Sequence, residues 1–208
     1  MVVIRWGRAF IAAFGASILV AGLVVAQPMT SAGITFSDAG GGFTIIAVSG
    51  SGSTEDPFIV VEEITGPSAA VLIIEGLTPA FGNRVGTLHP TGLALSKVLH
   101  NRTPFIWSFV DFELQQQFGV SSDYLDGLSF GQGAEAGRPF TSTRFDEFNE
   151  LFEPLDSITF HGGNLRPGES SVFNFVITDT TPIARFYLVQ RPSRPIARAL
   201  PPQATTRW

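Results

Sequence analysis

Apolar residues recur along this chain in short runs, and most runs carry the two-residue alternation of a half-buried strand. Phe43-Thr44-Ile45-Ile46-Ala47-Val48 is followed by Ser49-Gly50-Ser51-Gly52-Ser53, a flexible turn or loop. Residues 58–64 and 70–74 are short and β-branched, and Gly66-Pro67-Ser68 divides them, which predicts two more strands. Further strands are expected over 106–114, 128–130, 157–160, 171–178 and 185–190. Within 171–178, Phe173, Phe175 and Ile177 share one face, leaving Asn174 and Thr178 on the more exposed one. Leu93 to His100 fits helical spacing through Leu95, Val98 and Leu99 but reads better as a strand. Strands at such spacing, without intervening helices, predict an all-β, antiparallel β-sandwich of jelly-roll-like form.

One short helix is expected near 144–152. Phe145, Phe148 and Phe152 recur at i, i+3 and i+7, with Asp146, Glu147 and Glu150 opposite. Thr143 is placed to cap its start and Pro154 to stop it.

The two ends depart from the strand pattern. Arg5 and Arg8 precede a nearly unbroken apolar run from Ala9 to Ala26, and Val24-Val25-Ala26 puts small residues before Gln27-Pro28. A positive start, an apolar middle and a small-residue cut site form a secretory signal, here a helix over 1–26. The alternative is an uncleaved anchor, because the run is about long enough to span a bilayer. The chain thus divides into a signal peptide (1–26), a β-sandwich domain (27–190) and a Pro/Arg-rich mobile tail (191–208).

Composition narrows the class. There is no cysteine, so neither a disulfide framework nor a lipid-modified cysteine is available, and 19 phenylalanines must supply much of the core. Such an exported domain fits a bacterial envelope or extracellular protein better than a small animal secreted module. The segment 27–190 holds 7 basic against all 18 acidic residues, a net of −11. A body this acidic argues against nucleic acid as a partner, since phosphate binding needs a concentrated basic face.

Several short motifs, in order, resemble a family of exported bacterial domains found on proteins with a C-terminal PEP-type sorting signal. They are Gly50 to Phe58 (GSGSTEDPF), Asn101-Arg102-Thr103 before Trp107, Asp126-Gly127-Leu128-Ser129-Phe130, and Asp156-Ser157-Ile158-Thr159-Phe160. Arg166-Pro167-Gly168 and Phe186 to Pro192 complete the set. The resemblance implies a β-sandwich at the cell surface or in the matrix, without general enzymatic activity. Residues 201–208 carry no apolar span followed by basic residues, so the anchor of that family is expected to be missing.

Candidate chemistry is sparse. His89, His100 and His161 have no second histidine at i+2 to i+4, so zinc is not expected. Gly66-Pro67-Ser68-Ala69-Ala70 lacks the second glycine of a Gly-x-Ser-x-Gly elbow, and the glycine clusters at 40–42 and 50–52 do not open a helix. Asp111 and Glu113, two apart on a strand, share a face and could flank a glycosidic bond as catalytic carboxylates. The plainer reading makes them the solvated face of a strand that buries Val110, Phe112 and Leu114. Glu62 and Glu63 alternate across a strand and cannot act as a pair. Trp107, Tyr124, Tyr187 and Trp208 give a thin supply of aromatics for a sugar-binding platform, and Trp107 reads better as core. The segment Ser121 to Gly127 offers Asp123 and Asp126 as calcium ligands, against a turn whose aspartates bond their own backbone.

These observations favour an exported, non-catalytic surface or matrix protein with a structural or binding role and no cofactor. Its partners would be polysaccharide or other surface proteins, with membrane contact only through an uncleaved signal segment. A carbohydrate-active hydrolase or carbohydrate-binding module is the alternative.

Overall fold

The computed structural model describes residues 27–122, 125–131, 140–151 and 156–193. The expected signal segment, Asp123, Tyr124 and Trp208 lie outside them. In chain order the strands are β1 (Met29–Ser31), β2 (Ile34–Ser37), β3 (Phe43–Ser49), β4 (Phe58–Ile64), β5 (Ala70–Glu75) and β6 (Thr91–Asn101). They continue as β7 (Phe109–Gln115), β8 (Leu128–Phe130), β9 (Thr141–Ser142), β10 (Glu147–Leu151), β11 (Ser157–His161), β12 (Ser170–Asp179) and β13 (Arg185–Ser193).

These strands build an open β-sandwich. One sheet runs β1-β2-β5-β13-β7-β11-β10; the other runs β3-β4-β6-β12-β8, with β9 also on β12. Pairing is antiparallel except between β4 and β6, which run parallel. The inward faces follow the alternation of the sequence. Phe58, Val60 and Ile64 of β4, Leu93, Leu95 and Leu99 of β6, and Phe173, Phe175 and Ile177 of β12 are buried against the opposite sheet. From that sheet Phe112 meets Phe173 and Phe175 with ring centroids 5.1 Å apart in each pair, at steep interplanar angles. Aromatic pairs of this kind add about 0.5–1.5 kcal/mol each beyond the area they bury.

Over 144–151, the described part of the expected helix at 144–152, no helix is formed; Phe152 lies outside the described residues. Residues 147–151 are instead strand β10, paired with β11 in the register Glu147↔His161 to Leu151↔Ser157. Phe145, on the approach to that strand, stacks on Phe173 at 5.7 Å, while Phe148 lies between Phe140 and Phe160. The i, i+3 spacing of these phenylalanines therefore reflects two separate insertions. The open edge of β11 decided the matter, because a helix there would leave that edge's backbone groups unpaired.

Two smaller differences have similar causes. Thr178, expected on the exposed side of β12, is fully buried. The segment before β6 folds over that outer face, where Val85 packs with Ala94 and Val176. Strand β13 also runs three residues into the expected tail, since Arg191, Pro192 and Ser193 pair with Asp111, Val110 and Phe109.

The motifs behind the family resemblance are turns and braces. Ser51 and Gly52 donate backbone hydrogen bonds to Asp56 O, and Gly52 has a φ of 83° beside the ring of Phe58. An added Cβ there would come within 2.4 Å of that ring. Asn101 Nδ2 donates to Phe105 O and Leu165 O, and its Oδ1 accepts from the Thr103 amide and hydroxyl. Thr103 in turn accepts the Trp107 indole N–H at 3.0 Å, so Trp107 is a buried brace and no sugar platform.

Candidate functional site

Asp111 and Glu113 stand on β7 with their side chains on the outer face of the larger sheet. Phe112, between them, is buried. Antiparallel pairing sets Arg191 of β13 opposite Asp111 and Val189 opposite Glu113. Arg191 Nη1 lies 3.2 Å from Asp111 Oδ2 and 2.5 Å from Glu113 Oε2, so one guanidinium holds both carboxylates. The outer oxygens are occupied too. Thr159 of β11 donates to Asp111 Oδ1 at 2.9 Å, and Ser121 and Gln115 both donate to Glu113 Oε1.

The electrostatics of Glu113 follow from this company. Burial pushes its carboxyl up, but hydrogen bonds from Ser121, Gln115 and Arg191, with the Arg191 charge, outweigh burial and hold it below the usual range. A glycosidase needs one carboxyl kept protonated, its pKa raised to serve as general acid. The Glu113 environment works in the opposite direction. Further along β13 on the same face, beyond Val189, Tyr187 meets the exposed ring of Phe118 at 5.5 Å.

A second polar cluster sits inside the sandwich. Glu62, between buried Val60 and Ile64 on β4, and Lys97, between buried Leu95 and Leu99 on β6, both face inward. Each is fully buried, and Lys97 Nζ donates to Glu62 Oε1 in an ion pair. From the opposite sheet, Gln190 Nε2 donates to Glu62 Oε2 at 2.8 Å. Among the described residues Gln190 Oε1 is a buried acceptor without a partner. The Phe43 ring lies with its centroid 5.8 Å from Nζ. Burial drives Lys97 well below the ordinary lysine range.

Motif reasoning passed over this triad, although one signal was present. The inward frame of β6 reads Leu93, Leu95, Lys97, Leu99, and Lys97 is the chain's single lysine. A charge inside a strict apolar row is a buried charge, which needs a partner. Glu62 occupies the corresponding place in the row Phe58, Val60, Glu62, Ile64.

The remaining candidates are scattered. His161 Nδ1 lies 3.3 Å from Glu147 Oε2 across the β10–β11 pair; His89 is in the loop before β6 and His100 near its end. Asp126 Oδ1 accepts the Leu128 amide at 2.9 Å, and its other oxygen accepts the Ser122 hydroxyl, so its carboxylate ties its own turn. Asp123, the second calcium candidate, is outside the described residues. Among the described residues no three His, Cys, Asp or Glu side chains gather as a metal cluster. Nor is any helix there long and apolar enough to cross a membrane. Asp179 is buried, with Oδ2 unpartnered among the described residues; burial raises its carboxyl against the lowering hydrogen bonds from the Thr181 and Ile183 amides. Compared with known proteins, the chain matches no family model, no curated sequence and no solved structure.

Proposed function

We propose that this chain is an exported, non-catalytic surface or matrix protein whose sandwich serves a structural or binding role. The observation that carries this reading is the clamp of Arg191 on Asp111 and Glu113. It ties up the only carboxylate pair that strand spacing recommended for hydrolysis, and it depresses the one that burial would have raised. The N-terminal pattern of 1–26 supports export, and the resemblance to sorting-signal proteins supports the surface or matrix.

Polysaccharide is the partner class best matched to the outer face, where Tyr187 and Phe118 lie on the strand and loop flanking the clamp. Aromatic faces beside charge-paired hydrogen-bonding groups suit sugar rings, which present both C–H faces and hydroxyls.

Expression with the native leader, followed by fractionation and polysaccharide gel-retardation, tests the reading. Recovery in the surface or medium fraction, retardation that weakens in Tyr187→Ala, and no release of reducing ends are expected. Hydrolysis that disappears in Glu113→Gln would overturn it in favour of an enzyme.

A further inference from the structure

We infer that Lys97 and Glu62 are the two halves of an intramolecular amide cross-link, formed inside the folded sandwich with loss of one water. The chemistry starts from placement. Lys97 stands between Val60 of β4 and Phe173 of β12 in the sheet register, with Leu95 and Leu99 before and after it on its own strand. Its amine and the Glu62 carboxylate are both sealed from solvent and in direct contact. Among the described residues Glu62 Oε1 is the only hydrogen-bond acceptor for Nζ, so an ammonium there leaves two N–H bonds unmet. An interior of this kind disfavours separated charges and favours the neutral amine and neutral acid.

The step needs no outside reagent. A proton passes from Nζ to Glu62 Oε1, giving a free amine against a neutral carboxyl. The Nζ lone pair then attacks Cδ, and the new C–N bond places negative charge on Oε2. Gln190 Nε2, 2.8 Å from Oε2, is positioned to stabilise that oxyanion by its hydrogen bond. A second proton moves from Nζ to Oε1, the Cδ–Oε1 bond breaks, and water departs. One N–H remains on the amide nitrogen, and Oε2 becomes the amide carbonyl oxygen, still accepting from Gln190. Atoms and charge balance: an ammonium and a carboxylate become an amide and water.

Condensation of free amine and acid is unfavourable in water, but the fold changes both sides of that balance. Fixed geometry is worth effective concentrations of about 10⁵–10⁸ M. The ion pair it consumes is already penalised by desolvation, whereas the amide is neutral. The bond would also fall where the sandwich gains from it, across the parallel β4–β6 pair. Parallel pairing is less stable per residue and its strands are remote in sequence, so a tie there closes a long loop. The chain contains no cysteine to provide such a tie by disulfide.

Because Lys97 is the only lysine, the test is direct. The purified full chain is unfolded in guanidinium chloride, treated with an amine-reactive ester and mapped by peptide mass spectrometry. The expected result is no ε-amine label, with the peptides containing residues 62 and 97 joined and one water lighter than their sum. In Glu62→Ala the unfolded chain should label fully at Lys97, whether or not that variant folds. Gln190→Leu should give a mixture of linked and unlinked chains at early times after synthesis. Full labelling of Lys97 in the unfolded wild-type chain, with both peptides at unmodified mass, would overturn the cross-link. A joined product lighter by ammonia, with Gln190 as the acyl partner, would overturn the assignment to Glu62.

Discussion

Gln190 and Arg191 are neighbours on one strand, yet they serve polar clusters in opposite environments. Gln190 points inward to Glu62 and Lys97, where every member is buried. Arg191 points outward to Asp111 and Glu113, and its side chain remains 39% exposed. The two clusters contain the same kinds of groups, carboxylates held by a cation and an amide. The inner one has replaced water with apolar walls and must pair or neutralise its polar groups from within. The outer one keeps water within reach, so its charges are inexpensive and its pairing is worth less.

That contrast can be broken from the inside first. Lys97→Met leaves the Glu62 carboxyl buried without its Lys97 partner and should cost about 3–5 kcal/mol, read as a large fall in the denaturant midpoint. Lys97→Met combined with Glu62→Met removes both groups at similar volume and should be more stable than either single variant in the same titration. A double variant no better than the singles would mean the pair is not the source of the loss.

Smaller effects are expected outside. Arg191→Ala should cost about 1 kcal/mol, and the loss should shrink as salt is raised, because the guanidinium is partly solvated. An effect as large as that of Lys97→Met, or one indifferent to salt, would place both clusters in the same regime.

The pH dependence sharpens the outer cluster further. The Glu113 carboxyl is depressed in the folded protein, so its contribution is present above the ordinary glutamate value of 4.5. It is lost as pH falls through the lower folded value. Asp179 has the opposite sign. Its folded value is raised above 3.8, so its contribution is present below that pH and lost as pH rises through the folded value. Chemical denaturation from neutral to acid pH should therefore show a shallower fall in Glu113→Gln than in wild type, and a steeper fall in Asp179→Asn. Parallel curves for all three proteins would remove both assignments.

Much of the sandwich was legible from local pattern. The strand over 58–64 coincides with β4, that over 128–130 with β8, and the choice of strand for Leu93 to His100 matches β6. Alternation in β12 correctly sends Phe173, Phe175 and Ile177 inward. The candidate site was legible only in part. Period two puts Asp111 and Glu113 on one face, but nothing local announces Arg191, which lies far along the chain and reads as the start of a tail. Likewise Glu62 and Lys97 each show as a charge in an apolar row, while their meeting depends on a parallel pair that no hairpin turn encodes.

What the sequence by itself determined was therefore the class and the facing: short alternating strands, turns at Gly50 to Asp56 and Asp126-Gly127, and an inward set of phenylalanines. These follow from near-neighbour sterics and from the period of the strand, which need no partner to be read. Tertiary structure alone decided that 147–151 pair as an edge strand and that Thr178 is covered. It also decided that Gln190 and Arg191 each complete a cluster begun more than a hundred or about eighty residues earlier. Those outcomes depend on which strand edges remain open and which buried charges still need a counter-group, and both are settled only when distant strands come together.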